Sequence, residues 1–114
     1  MAFPRARVEY RLRDRVRAHH SAPAKVRIRT QIEFDDTCSA HSTLIEVIAQ
    51  DRPGLLYRVS SIFSTHNCNI EIALIDTEGQ MAIDVFYLTS DGSKLTPPHQ
   101  AQLHEALLRD LSAD

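Results

Sequence analysis

Residues 43–63 carry an apolar strand through a sharp turn into an amphipathic helix, and the turn reads Asp51-Arg52-Pro53-Gly54-Leu55-Leu56. The strand side, Thr43-Leu44-Ile45-Glu46-Val47-Ile48-Ala49-Gln50, is rich in β-branched residues, which favour extended backbone. On the helix side Leu56, Val59 and Phe63 recur at helical spacing, with Leu55 and Ile62 alongside. A strand that turns this tightly into a helix leaves several N–H groups of the first helical turn unpaired. Those donors and the positive end of the helix dipole favour an anionic group. A glycine at the turn lets a ligand approach the main chain closely. The turn is therefore expected to hold a small anion or an amino-acid carboxylate, and not to be a catalytic centre.

The 114 residues suffice for one domain with a single modest core and an extension. A hydrophobic share of 43% against 25% charged residues fits a soluble globular protein. No run of the sequence approaches a bilayer span, and the first residues lack the apolar stretch of a signal peptide. Cys38 and Cys68 make no disulfide framework and are expected as reduced thiols in a cytoplasmic protein. Neither CxxC nor HxxxH spacing accompanies them, so no metal is expected. The net charge of −2 conceals an asymmetry: residues 1–29 hold nine of the thirteen Lys and Arg but two of the fifteen acids. A basic arm on an acidic body fits a polyanion-binding tail or a linker from a larger protein.

Within residues 1–24, Val8, Leu12 and Val16 form one thin apolar stripe between Pro4 and Pro23. Such a helix would be marginal alone, so the segment is read as a basic arm or interdomain linker. Its arginines lack the interleaved aromatics of a single-stranded nucleic-acid binder, which makes the linker the preferred reading. Residues 25–34 alternate, with Val26, Ile28, Ile32 and Phe34 on one side, and predict a half-buried strand. After a polar loop at 35–42 and the strand at 43–50, the spacing predicts a helix over about 53–66. Asp51 is its expected N-cap, and Asn67 its left-handed end. Strands are predicted over 69–77 and 80–89 around a Glu78-Gly79 turn. Asp91-Gly92 marks another turn, and Leu103, Leu107 and Leu111 mark a helix over 97–111 after Thr96-Pro97.

The last five elements follow the order of a β-α-β-β-α-β ferredoxin-like unit without its final strand. The strand at 25–34 can fill the empty slot beside 43–50, covering an edge that would otherwise invite aggregation. The expected architecture is α+β: an antiparallel sheet with two helices on one face.

The Asp51-Arg-Pro-Gly-Leu-Leu turn, Asn69-Ile70 and Ala82-Ile-Asp-Val-Phe-Tyr-Leu together resemble an ACT domain. Within that family the chain is most similar to the last ACT domain of bacterial PII uridylyltransferase/uridylyl-removing enzymes. Three details carry that similarity: Glu33-Phe34-Asp35-Asp36 ahead of the domain, Asp84-Val85-Phe86-Tyr87, and an end straight after the second helix. The resemblance spans about residues 25–111 and implies an ACT domain over 25–114. It also implies a glutamine-sensing regulatory module, with no cofactor, cut from the C-terminal end of a larger cytoplasmic enzyme. The family's nucleotidyltransferase and HD-type phosphohydrolase signatures are not seen in this sequence, so no catalytic residue is assigned.

The residues expected at the ligand are Asp51, Arg52, Pro53, Gly54, Leu55, Leu56 and Asn69. The N–H groups of Gly54, Leu55 and Leu56 would take the carboxylate, Asp51 the ligand ammonium, and Asn69 the ligand across a dimer interface. The plainer alternative has Asp51 capping the helix, Gly54 relieving a clash, Arg52 solvated and Asn69 serving a turn. Ala49 occupies a position where some amino-acid-binding relatives present a polar side chain, so side-chain recognition is expected to be thin. Glu46 and Asp84 are expected on the side of the sheet away from the helices, satisfied by arginines such as Arg27 or Arg29 or facing a partner. Leu44, Ile48, Phe86 and Leu88 are expected beside them as an apolar association surface. His66, His99 and His104 are read as exposed or capping residues. The competing reading of the whole is a dimerisation or docking module that binds no small molecule.

Overall fold

The computed structural model describes residues 27–112. The basic arm expected over residues 1–24, and its thin helical stripe, lie outside the described residues. Four strands and two helices follow in order: β1 (Gln31–Asp35), β2 (Thr43–Gln50), α1 (Leu55–Thr65), β3 (Asn69–Glu78), β4 (Met81–Thr89) and α2 (Pro97–Ser112). The sheet runs β1-β2-β4-β3, antiparallel throughout. β1 takes the slot of the missing last ferredoxin strand, with Phe34 opposite Ile45 and Ile32 opposite Val47.

Both helices lie on one face. Val59 and Phe63 of α1 and Leu103, Leu107 and Leu111 of α2 pack on Ile32, Ile45, Val47, Phe86 and Leu88. Phe63 and Phe86 meet edge to face, with ring centroids 5.0 Å apart. Burying Leu55, Val59 and Phe63 contributes about 1.5–3 kcal/mol each. That outweighs the roughly 1 kcal/mol that α1 forgoes by having no side-chain N-cap.

The central strands are buried on both faces, which erases the polar alternation that would tell one face from the other. Directly paired residues share a face, and Leu44 pairs Tyr87 whereas Ile45 pairs Phe86. Phe86 and Leu88 therefore face the helices with Asp84, while Leu44, Glu46 and Ile48 face away with Ile83, Val85 and Tyr87. The expected grouping of Leu44 and Ile48 with Phe86 and Leu88 is one residue out of register, and a slip of one reverses every side chain. None of the four is an exposed patch: all are 0–1% accessible. On the side away from the helices, Cys38, Ile72 and Leu74 pack around Leu44, Val85 and Tyr87, and Ile28 packs on Ile48, Met81 and Ile83.

Ile28 marks a second departure. The strand begins at Gln31, not 25, and Ile28 crosses to the opposite side from Ile32 and Phe34. Its N–H donates to Gln50 Oε1 at 3.2 Å.

A polar clamp, buried at Thr43 and Leu95, joins the β1–β2 loop to the start of α2. Thr43 Oγ1 donates to Asp36 Oδ1 at 2.8 Å and accepts from the Leu95 N–H at 3.0 Å. Gln100 Nε2 donates to Asp36 Oδ2 at 2.9 Å and to the Leu95 carbonyl at 3.1 Å. The end of α1 is tied similarly. Asn67 is left-handed at φ 60°, as its sequence position predicts, and His99 Nε2 lies 2.6 Å from the His66 carbonyl oxygen. His66, His99 and His104 are all half-buried, and of the expected exposed or capping roles His66 takes the second, as the C-cap of α1.

Candidate functional site: the turn between β2 and α1

β2 ends at Gln50, and the Asp51 N–H donates to the Gln80 carbonyl at 2.8 Å. The turn is thereby anchored to the β3–β4 hairpin, whose two loop residues are Gly79 and Gln80. Leu55 N–H then donates to the Arg52 carbonyl at 3.1 Å. Gly54 adopts φ 80°, ψ 2°, the third-residue conformation of a type II turn, with Pro53 in the favoured second position. The glycine is required by this backbone and not by crowding, since nothing lies within 4 Å of where its Cβ would be.

This turn corrects two expectations. The helix starts at Leu55 rather than Pro53, and its N-cap is Gly54, not Asp51. Asp51 is too far upstream because the type II turn intervenes. Of the three amides expected to hold a carboxylate, that of Leu55 is already bonded within the turn. Among the described residues, the N–H groups of Gly54, Leu56 and Tyr57 meet no acceptor, the helix's own bonding beginning with Arg58 N–H to the Gly54 carbonyl at 3.0 Å. Asp51, Pro53, Gly54 and Leu56 are exposed, Arg52 is half-buried and Leu55 is buried.

Asn69 is at the other end of the sheet. It opposes Thr89, whereas the turn adjoins the Gln50–Met81 end. Seven residues of β2 separate the two ends, roughly 23 Å at strand rise. Within one copy, Asp51 through Leu56 are brought together and Asn69 is not.

Asp84 is the residue whose place the sequence reading missed. It lies on the helix-covered face between Val47 and Ile75, opposite in direction to Glu46, so the two carboxylates are not a pair. Asp84 is 3% accessible. It accepts one long bond, from the Asp76 N–H at 3.4 Å. Burial pushes its carboxyl up to about 6 from the ordinary 3.8. The Asp76 N–H opposes that shift, and the like charges of Asp51 and Asp76 add to it. The signal was present: Ala82, Asp84, Phe86 and Leu88 alternate as one set, and an aspartate in an otherwise apolar set needs a reason.

Other chemistry-bearing groups lie away from the turn. Cys68 Sγ is 3.6 Å from His99 Nε2, but burial pushes the thiol up to about 11, which leaves it a poor nucleophile. Among the described residues no group of three His, Cys, Asp or Glu is placed to hold a metal ion. No helix among them is long and apolar enough to cross a membrane. A groove of about 400 Å³ runs between α1 and α2, lined in part by Tyr57, Ile62 and Arg109. Arg58 and Asp110 pair across it at 3.3 Å.

A four-stranded antiparallel sheet, two helices on one face and a glycine turn from first ferredoxin strand to helix define a ferredoxin-like α+β module. Residues 43–93 match the ACT domain family, and the chain carries an ACT domain. Bifunctional uridylyltransferase/uridylyl-removing enzymes are similar over most of its length. That of Photobacterium profundum is 38% identical over 100 residues, covering 84% of this chain and 11% of the relative. That of Gluconobacter oxydans is 40% identical over 101 residues, again 84% and 11%. That of Vibrio campbellii is 40% identical over 86 residues, 75% and 10%. The chain thus spans about a tenth of the length of these relatives. No solved structure matches.

Proposed function

We propose that this chain is an amino-acid-sensing regulatory module, with glutamine as its ligand, serving a cytoplasmic uridylyltransferase/uridylyl-removing enzyme. The observation that carries the reading is the type II turn at Gly54, at whose helix start the amides of Gly54, Leu56 and Tyr57 meet no acceptor among the described residues. Those donors suit a carboxylate, and the similarity to uridylyltransferases supplies the setting. The chain regulates other domains and does no bond-making itself. A ligand-linked shift of about 1–3 kcal/mol between two domain arrangements would rebalance opposed activities.

Two copies, or two such modules, pair in this reading. β3 is a ten-residue edge strand with Ile70 and Ile75 exposed at 40% and 50%. Antiparallel pairing of two β3 edges would bring Asn69 of a second copy to the Glu78 end of the first, beside its turn. That explains how Asn69 could touch a ligand despite its distance within one copy. The same edge supports the alternative reading, a pairing module without a ligand.

Calorimetry with glutamine and the other standard amino acids separates the two. Saturable heat that is lost in Gly54→Val, with the fold retained by circular dichroism, is the expected result. No heat from any amino acid with a folded sample would overturn the sensing function and leave the pairing one.

A further inference from the structure

The free amides of the turn account for one end of an amino acid, its carboxylate, and leave the ammonium without a partner. Asp51, proposed for that role from the sequence, is exposed and would offer only a solvated, weakly discriminating contact. Asp84 is differently placed. It is 97% inaccessible, projects from the sheet on the face from which α1 springs, and lies within electrostatic reach of Asp51 at the turn. Between it and the turn, the next pair on β2 and β4 is Ala49 and Ala82, whose methyl groups are the smallest side chains on this face of the two strands.

Its surroundings lack a counter-charge. On this face β2 offers Ile45, Val47 and Ala49, β4 offers Ala82 and Phe86, and β3 offers Ala73, Ile75 and Thr77. The buried side of α1 offers Leu55, Val59 and Phe63, and that of α2 Leu103, Ala106, Leu107 and Leu111. The charged groups that reach it are Asp51 and Asp76, both of its own sign. Arg58, on α1, is held by Asp110. One oxygen of Asp84 takes the long bond from Asp76 N–H, and among the described residues nothing donates to the other. A buried carboxylate that keeps an unused acceptor and gathers only like charge is costly unless a cation joins it.

We propose that Asp84 is the ammonium-recognising residue of the site, making it selective for ligands that carry an α-amino group. This rests on the amino-acid-sensing reading: turn amides take the carboxylate, and Asp84 takes the ammonium beneath. The alanines fit the thin side-chain recognition expected from Ala49, because discrimination then acts on the shared backbone of amino acids and less on their side chains. Binding also restores the ionised form of Asp84, so affinity falls as acid protonates it.

The test compares L-glutamine with 4-carbamoylbutanoate, the same molecule without its amino group, by calorimetry on the full chain and on Asp84→Asn. The wild type is expected to bind glutamine roughly tenfold or more tightly than the amino-free compound. Asp84→Asn should lose that preference, glutamine weakening while the amino-free compound is unchanged. Wild-type affinity for glutamine should decline between neutral pH and about pH 5, and that of the variant should not. The wild-type comparison needs no variant, and the near-isosteric Asn keeps the volume of the side chain. Equal affinity of the wild type for the two compounds, or full glutamine affinity in Asp84→Asn, overturns the role of Asp84 and leaves amino-acid sensing standing. An equal loss for both compounds in the variant marks a merely structural role and also overturns it. A wild type that binds no amino acid removes both.

Discussion

Asp84 shows how one side chain can work against the fold that holds it. Its carboxyl is pushed up to about 6 from 3.8, so the folded state binds the proton more tightly than the unfolded chain does. Below about pH 4 the residue is neutral in both states and folding carries no penalty from it. As pH rises through 6 the folded state must ionise a buried group, and stability is lost. The full difference is worth about 3 kcal/mol at neutral pH, an upper figure because relaxation and water reduce such costs. Asp84→Asn is therefore expected to unfold at higher denaturant than the wild type near neutral pH, with the two converging at about pH 4. Chemical denaturation followed by circular dichroism across that range measures it. A wild type no less stable than the variant at neutral pH would show that the carboxylate already has its compensation in the free protein. Gly54 is the complementary case. Its φ of 80° is one that an L side chain adopts at a cost of about 1–2 kcal/mol, and the type II turn requires it.

At the scale of elements, the joints matter more than the elements themselves. Thr43 is fully buried, and its hydroxyl both donates to Asp36 and accepts from the Leu95 N–H. Thr43→Val keeps the shape, removes both bonds and strands the Leu95 N–H in the interior. The expected loss is about 1–3 kcal/mol, read as a shift in the urea midpoint, with Thr43→Ser restoring most of it. An unchanged midpoint would mean that water replaces the hydroxyl. This clamp was not legible in the sequence, because Thr43, Asp36, Leu95 and Gln100 are scattered over four local contexts and nothing in their spacing announces contact. The elements themselves were legible. Leu103, Leu107 and Leu111 marked α2, Asn67 marked the end of α1, and Glu78-Gly79 marked the hairpin. What misled was the doubly buried pair β2–β4. With apolar residues on both faces of each strand, period two identifies two sets of side chains but not which set meets the helices. The turn was legible as a glycine-dependent junction from strand to helix, yet its type II geometry, which displaces Asp51 from the cap and consumes the Leu55 amide, depends on the Arg52 carbonyl folding back.

For the whole molecule, the distribution of edges decides how it can associate. β1 closes the β2 side of the sheet, and its five paired residues leave β3 as the longer edge. A bulge between Ile70 and Ile72 interrupts the ladder near the start of β3, and there Thr89 Oγ1 donates to Glu71 Oε2 at 2.8 Å. Such features blunt an edge against indiscriminate pairing. The stretch from Ile72 to Glu78 stays in register with β4 and carries the half-exposed Ile75. The proposed pairing therefore uses this end of β3, next to the turn, and joins the two β3 strands of a dimer into one continuous sheet. Ile75 is also the β3 neighbour of Asp84, so a partner covering it would further exclude water from the proposed ammonium site. Ile75→Lys places a charge at the centre of that edge without touching the core. Sedimentation equilibrium is expected to show concentration-dependent dimerisation of the wild type and its loss in Ile75→Lys, with glutamine affinity falling in parallel because the site loses its cover and the Asn69 of the second copy. A variant that dimerises as the wild type does would put the interface elsewhere. One that stays monomeric yet binds glutamine unchanged would mean that each turn and its Asp84 form a complete site within a single chain.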